Sequence, residues 1–564
     1  MRKAAITGLA SLLLSTSCAP QPQGDGGTPE ISGARIAAHV RFLASDLLEG
    51  RAPASRGEAL ATEYIATQFR LAGAAPAAAG GSYFQAVPLM GVETLPDSRL
   101  SWRAGSRAAS IATAAMAPVP MTYLDDFVAV NHRQQDEVEI DAETIFVGHG
   151  IRAPEFSWND YENVDVTGKV VVLFTNEPPS DDPAFFGGRA LTYYGRWVFK
   201  YEEALRQGAL GAIIIHTDQT AGYPWQVVRN SWGTQNPYVR LEPGQPELAV
   251  AGWVTSEIGE KIFAAEGKTV AEMLKLADTK GFRPIPLGLR VNGRLRSRVT
   301  PFETNNVLAK VEGRDPLKKN EAVIYTAHWD HLGVGFEVNG DRIYNGAVDN
   351  ATGCGVLLEL ARAFAALEPK PDRTILFAAV GAEEGGLRGS EYYAHQPVVP
   401  AGQTAVNLNY DGLLPLGRVR SISLLGYERT TVKQLVEEVA RELALELEPD
   451  NLPEQGLYYR SDQFSLAKAG IPAFSLRPGT QIEERPPEWA AAQQQDYIAH
   501  RYHQPSDEYD EAWDFGGIEQ LTRLGFEIGR RAANLAALPT WQPGDEFLPA
   551  REQSLAGSSA AEKR

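Results

Sequence analysis

Two histidines and a set of acidic side chains in the second half of the chain are of the types that bind and use divalent metal. His328 and Asp330 follow the apolar run AVIYTA, Glu383 and Glu384 follow RTILFAAVGA, and Asp411 follows TAVNLNY. Asp349 stands in the loop IYNGAVDNATG just before a helix, and His503 lies far downstream in YHQPSD. Zinc accepts imidazole nitrogen and carboxylate oxygen. Two zinc ions roughly 3.5–4 Å apart can share one bridging carboxylate and one water. With His328, Asp349, Glu384, Asp411 and His503 as ligands, each metal takes one histidine and one carboxylate, and one carboxylate is left to bridge. Two dications against three ligand anions leave net positive charge to acidify the water and polarise a carbonyl. Glu383 is adjacent to a ligand but is not needed as one, which suits it to take the water proton. Asp330, two residues from His328, could hold that imidazole's free ring nitrogen. Singly, a His-x-Asp or a pair of Glu is ordinary surface chemistry. Their joint placement at the ends of apolar strands is what points to a site.

Those strand ends imply a scaffold. From about residue 296 onward, strand-like runs alternate with helices expected near 353–367, 430–446 and 516–536. Val356, Leu357, Leu360 and Phe364 form one stripe of the first helix, and Val432, Leu435, Val436, Val439 and Leu443 one stripe of the second. This alternation predicts an α/β fold, with a mixed, largely parallel sheet sandwiched by helices. Open sheets of that class place their sites at the carboxyl ends of the strands. Earlier in the chain, Ile36, Val40, Leu43 and Leu47 recur at helical spacing. A helix over 56–72, with Leu60, Tyr64 and Leu71 on one side, is expected to stop at Gly73. Between about 120 and 295, short apolar runs (TIFVGHG, GKVVVLF, GALGAIIIH, LAVAGW) alternate with turns around a helix near 196–207, which reads as a separate β-rich unit. His149 and His216 end strands there and read as structural or surface histidines.

A chain of 564 residues is too long for one core. Its formal net charge of -18 argues against a nucleic-acid partner, because phosphate binding needs a basic stripe. Residues 1–18 read as an export signal: Arg2 and Lys3, an apolar run over 6–14 too short to span a bilayer, then Ser15, Thr16, Ser17 and Cys18. Two outcomes stay open. One is a bacterial lipoprotein with lipid on Cys18, although Ser15 stands where that motif usually has Leu. The other is ordinary cleavage and secretion. Either exports the protein, to the cell envelope (lipid-anchored or periplasmic) or beyond it. Cys354 is the only other cysteine, so no disulfide framework exists, and a small buried core residue is its expected role.

HWDHLG, VDNATG, GAEEGGLRGS, NLNYDG and YHQPSD together resemble the metal-site motifs of the di-zinc aminopeptidase family. That family includes bacterial leucine aminopeptidases, glutamate carboxypeptidase, glutaminyl cyclases and the transferrin receptor. FLASDLLEGRAP and SDQFSLAKAGIPAF also match, and the central segment resembles a protease-associated domain inserted into the peptidase. The resemblance covers most of residues 34–540. It implies a zinc-peptidase fold with an N-terminal part at 33–120, an inserted domain at 121–295 and a catalytic core at 296–545, while composition sets apart a signal peptide 1–18, a flexible tether 19–32 and a disordered tail 546–564. It also implies two Zn2+ per chain, with Glu384 paired to His503, Asp411 paired to His328 and Asp349 bridging. Glu383 would be the general base, and Tyr502 would hydrogen-bond the developing oxyanion. A cis peptide between Asp349 and Asn350 is implied as well. Val348 departs from the pattern, since many relatives have Asp there. His331 is expected to support or rim the site rather than ligate.

The implied activity is peptide-bond hydrolysis, with an aminopeptidase acting on peptides or small proteins that have a free N-terminus. Glu383, Glu384 and Asp411 would welcome the substrate's ammonium. A carboxypeptidase of the glutamate carboxypeptidase type would instead need a cation for the substrate carboxylate, and Arg388, Arg460 and Arg477 are the candidates. Glutaminyl cyclization on one zinc and a non-catalytic binding scaffold are further readings; the complete ligand set disfavours the last. Membrane contact is expected only through a lipid on Cys18. The inserted unit could gate substrate, bind partners or mediate a homodimer.

Overall fold

The runs AVIYTAH, TILFAAV and TAVNLNY lie side by side as parallel strands, with Ala322–His328 between Thr374–Val380 and Thr404–Tyr410. The computed structural model in which they are seen describes residues 29–105, 118–182, 184–241 and 244–561. The expected signal segment, Cys18 and most of the tether fall outside the described residues. All three strands are buried along their whole length, which suits this position, because both faces of the sheet are covered. Val323, Tyr325 and Ala327 point into one core while Ile324 points into the other. Ala473–Pro478 extends the parallel set, and Ser421–Leu425 adds to it antiparallel. On the opposite side, residues 307–311 of the long strand Ile285–Val311 run antiparallel to Thr374–Val380. The sheet is therefore mixed and largely parallel. Helices Gly33–Leu43, Arg56–Ala72, Thr352–Ala366 and Gly516–Ala532 cover one face, burying Ile36, Ile65, Phe364 and Phe526. Arg388–His395 and Gln463–Lys468 cover the other with Tyr393 and Leu466.

A second sheet carries its own cores. Val170–Leu173, Gly211–Ile215 and Val250–Val254 are parallel neighbours, flanked by Glu137–Phe146 and Phe127–Val130. Phe146, Ile213 and Phe263 pack on one face; Val171, Ile214, Tyr201 and Trp253 pack on the other. The unit begins earlier than expected. Arg99–Ala104 pairs with residues 289–294, and Leu100 and Trp102 lie in the same core as Met121, so the boundary at 121 is too late. The two sheets are joined by one ribbon. Phe84–Thr94 runs antiparallel to residues 297–307 of Ile285–Val311, whose residues 285–296 belong to the second sheet and whose residues 307–311 belong to the first.

Three further expectations need correction. In Arg56–Ala72 the buried face carries Ala61, Ile65 and Phe69, while Leu60 and Leu71 are exposed, so the apolar stripe lies one residue over. Gly73 does stop that helix, with a φ of 86° that suits a residue lacking Cβ. Leu47 is exposed, because Gly33–Leu43 ends before it and the chain tightens into a 3-10 turn. The described part of the tail is not disordered. Leu548–Ala561 is a helix, tied down by buried Phe547 and by Arg551, whose guanidinium donates to the carbonyls of Pro539 and Ala401. The sequence LPAREQSLAGSSAA has no apolar stripe, so a single buried arginine left no periodic signal. Among the described residues no helix is long and apolar enough to cross a membrane.

Candidate metal centre

The parallel strands end together, and the chain leaving each one turns toward a common point. His328 is the last residue of its strand. After Val380 the chain bends through Ala382, whose φ of 55° disfavours a residue with a Cβ, and so presents Glu383 and Glu384. Asp330 holds that bend. Its carboxylate accepts from the backbone N–H of Glu383 at 3.1 Å and of Glu384 at 3.4 Å. Asp411 directly follows the strand Thr404–Tyr410. Beneath it lies a buried polar network: Thr326 donates to Asn409 at 2.6 Å, and Asn409 donates to Ser461 and Gln463, each at 2.8 Å. Asp349 sits in a distorted turn ahead of Thr352–Ala366. Asp507 fixes this turn by accepting from the N–H of Val348 at 3.0 Å and of Asp349 at 3.1 Å. The Asp349–Asn350 peptide is cis. Arg51, buried in the FLASDLLEGRAP segment, donates to the carbonyls of Trp329, Asn345 and Gly346 and so pins both loops.

The five expected ligands converge. His328 Nε2 lies 3.1 Å from Asp349 Oδ1 and 3.2 Å from Asp411 Oδ1. His503 Nε2 lies 3.3 Å from Asp349 Oδ2 and 3.0 Å from Glu384 Oε2. The two oxygens of Asp349 thus face two different imidazoles, each accompanied by one further carboxylate. Glu383 stands just outside, with Oε2 4.0 Å from His328 Nε2. Ligand atoms that surround one zinc tetrahedrally are roughly 3.3–3.5 Å from each other, and these contacts are close to that spacing. His503 Nε2 is buried and, despite its two oxygen neighbours, has no aligned hydrogen bond. That suits a nitrogen sharing a cation with those oxygens rather than a proton. The residues fit a pair of zinc ions.

Charge balance points the same way. Burial alone would depress His328, but Glu383 and Asp411 outweigh it and raise it well above the ordinary histidine range. Burial is likewise overcome at His503, where Glu384 and Asp349 raise the imidazole to about 10. Burial pushes Glu383 well above the usual carboxylate range, opposed by His328 and reinforced by Asp411 and Glu384. Burial would also raise Glu384, but His503 and His331 outweigh it and hold that group at about 2. A cluster that protonates its histidines in this way is short of positive charge, and divalent cations supply it by displacing the imidazole protons.

One expected role shifts, that of Asp330. His328 Nδ1 lies 3.2 Å from the main-chain oxygen of Asp330 and 3.8 Å from its carboxylate. The strand has ended at His328, so the turning chain brings the carbonyl to the ring and leaves the carboxylate to support Glu383 and Glu384. His331 is buried, with Nδ1 2.5 Å from Glu384 Oε1, and supports that carboxylate. The Tyr502 ring lies over the His503 ring with centroids 4.0 Å apart and shares a cavity with Glu383 and Asp349. Cys354 is buried and free, its thiol on the His328 carbonyl. His149 and His216 lie in the second sheet unit, bonded to Thr175 and Asp278 and to Tyr223 respectively.

Two residues that the sequence did not single out reach the site from the second sheet unit. On the helix Trp225–Trp232, Ser231 Oγ is 2.8 Å from His503 Nδ1, and Asn230 donates to the His503 carbonyl at 2.9 Å. Nothing in RNSWG marks them, since the contact spans nearly half the sequence. Together the two units enclose a cavity of about 330 Å³, with Glu383, Glu384, Tyr502 and His503 on one side and Tyr201 and Trp232 on the other.

Residues 306–525 match the model of Peptidase family M28. A "Probable zinc metalloprotease" of Pyrenophora teres f. teres (strain 0-1) is 33% identical over 147 residues, 26% of this chain and 26% of that protein. A "Vacuolar membrane protease" of Saccharomyces cerevisiae (strain YJM789) is 33% identical over 116 residues, 21% of this chain and 11% of that protein. These matches span only about a tenth to a quarter of the relatives' length. The aminopeptidase from Aneurinibacillus sp. strain AM-1 aligns over 92% of this chain and 98% of its own, with a TM-score of 0.51 and 18% identity, a likeness of fold. The family match therefore falls on residues 306–525, the part of the chain that carries the expected metal ligands.

Proposed function

We propose that this chain, built around a family M28 peptidase domain, is an exported di-zinc aminopeptidase. The observation that carries the reading is Asp349, whose two carboxylate oxygens face His328 and His503 separately while Asp411 and Glu384 complete the two groups. Zinc ions held there would polarise the scissile carbonyl and acidify a water. Glu383, raised by burial and by its acidic neighbours, takes the proton of the attacking water and delivers it to the leaving amine. Tyr502 keeps its proton: burial raises it well above the phenol range, against Arg460 and with help from Asp349 and Glu384, so its hydroxyl can donate to the developing oxyanion. The substrate's ammonium belongs among Glu383, Glu384 and Asp411, which favours release of N-terminal residues. The inserted unit, read as a protease-associated domain, closes the cavity over the site.

The test is a zinc assay combined with hydrolysis of aminoacyl anilides. About two zinc ions per chain are expected, with activity lost to a chelator and restored by zinc or cobalt. N-acetylation of a good substrate should remove most turnover. Full activity in protein shown to hold no metal would overturn the reading.

A further inference from the structure

The cavity at the metal centre does not end there. Beside it lies a smaller space of about 110 Å³ that reaches Asp349 and Asp411, and beyond that a crevice of about 380 Å³. The crevice runs between the turn at Asp218 to Gly222 of the second sheet unit and the helix Pro487–His500 of the core. Asp218, Gln219, Gln495 and Ala499, all exposed, stand at its mouth, so it meets solvent. Arg196 walls both the crevice and the main cavity. Of the arginines weighed from the sequence, Arg388 pairs with Glu391 at 3.2 Å, Arg477 lines the smaller space, and Arg460 stands where the three spaces meet. Tyr223 and Arg460 alone line all three. The Arg460 guanidinium lies over the Tyr223 ring at 5.2 Å, and among the described residues neither side chain has a hydrogen bond or an ion pair. Elsewhere the seam between the two units is tied by Asn230 and Ser231 to His503, and by the N–H of Leu191 to the carbonyl of Pro453 at 2.9 Å. At Tyr223 the seam is closed by a stack worth little more than thermal energy. Rotating either side chain breaks no hydrogen bond and moves neither unit.

We propose that the Tyr223–Arg460 stack gates a second mouth of the active site, through which the freed amino acid leaves while the shortened peptide stays behind. This rests on the aminopeptidase reading and adds how its two products part. That reading sets the substrate's ammonium near Asp411, so the N-terminal residue occupies the smaller space and the rest of the peptide the larger cavity. The larger cavity is walled by Trp197, Tyr201, Trp232 and Tyr238, which hold apolar side chains. The crevice is lined by Asp218, Gln219, Glu454, Gln455 and Gln495, which suit a small zwitterion. After cleavage the freed residue has the gate beside it, whereas the shortened peptide blocks its way to the front. Once it leaves by the rear, the new N-terminus slides into the vacated space, and one encounter removes several residues.

The test follows a pentapeptide of five different residues by mass spectrometry, on the zinc-loaded full chain, while nearly all of the peptide is still intact. Wild type should yield products shortened by two or more residues from the outset, because intact substrate outcompetes any intermediate that has been let go. Two substitutions plug the rear mouth from opposite banks. Gln455 reaches across to Gly222, where a Cβ would lie 3.5 Å from its side chain, so Gln455→Trp fills the passage from the core. Gln219→Trp fills it from the second sheet unit and gives an independent reading if the first variant folds poorly. Each should lower the ratio of multiply to singly shortened products by on the order of 10-fold, since the freed residue must then wait for the peptide to depart. Because the ratio is taken within each protein, a general loss of activity cancels. Only singly shortened products in wild type would make the crevice a solvent-filled seam without traffic and overturn the gate. A ratio that survives both plugs would overturn the rear route. Zinc-dependent removal of the first residue keeps the peptidase reading intact in either case, whereas its absence removes that reading and the gate with it.

Discussion

His328 and Asp411 stand at the ends of neighbouring strands, over a floor of buried hydrogen bonds running through Thr326, Asn409, Ser461 and Gln463. His503 and Glu384 arrive differently. His503 sits on a loop with a φ of 55°, and Glu384 follows a strained bend. Each depends on side chains from elsewhere: His503 on Ser231 and Asn230, Glu384 on His331 and the carboxylate of Asp330. One half of the centre is thus placed by the sheet itself and the other by clamps. A ligand on a strand end inherits its position from the core, whereas a ligand on a loop keeps its position only while its partners hold it.

The comparison can be broken at the shared residue. Asp349→Ala should disable both halves, with zinc content falling below one per chain and kcat/KM dropping by on the order of 10³-fold or more. A variant that kept two zinc ions would show that Asp349 does not join the halves. Glu383→Gln separates chemistry from assembly: kcat should fall by on the order of 10² to 10⁴ with zinc still bound. Near-normal turnover would remove Glu383 as the base. Ser231→Ala, with or without Asn230→Ala, addresses the clamped half alone. We expect about 10- to 100-fold weaker zinc at one site and an unchanged second site, read as a biphasic chelator titration. Equal weakening of both sites would contradict the division. The smallest signal is calorimetric. His503, raised to about 10, and His328, raised above its ordinary range, both carry protons at pH 7.5 before metal binds. Zinc requires neutral imidazoles, so loading should release on the order of one to two protons per chain. Because the raised group is protonated below its folded value, His503 should stop contributing to this release as the pH passes about 10. A binding enthalpy independent of the buffer would contradict the protonated histidines.

The same division explains what could be read from the sequence. Val323, Tyr325 and Ala327 alternate with Ile324 in a strand whose end must carry His328, and the runs that deliver Glu384 and Asp411 are equally plain. Apolar patterning finds the sheet, and the sheet finds its ligands. His503 has no such frame; it was reached through its likeness to a known motif. Ser231, Asn230 and Arg196 gave no signal, because a hydrogen bond or a cavity wall formed across the fold leaves no periodicity in the chain. Asp330 was found but given a different task, since spacing along a strand says nothing about where the chain turns after it ends. The tail misled for a related reason: one buried Arg551 holds a helix that composition alone would leave loose.

The ribbon between the sheets has a consequence for transplantation. At its outer end the N–H of Leu95 donates to the carbonyl of Arg296 at 2.8 Å, so the whole intervening unit leaves and re-enters the core through one closed gate. Cut at that gate and sealed with a short turn, the core's chain ends would remain in register, and the entropy of closing so small a loop is slight. In engineering terms the second sheet is a cartridge. It is not an inert one, because Ser231, Asn230 and Arg196 travel with it. Exchanging the cartridge would leave the chemistry's acids and imidazoles in place while replacing both a grip on the metal centre and a wall of the substrate cavity, so that metal retention and selectivity could be inherited together from another source.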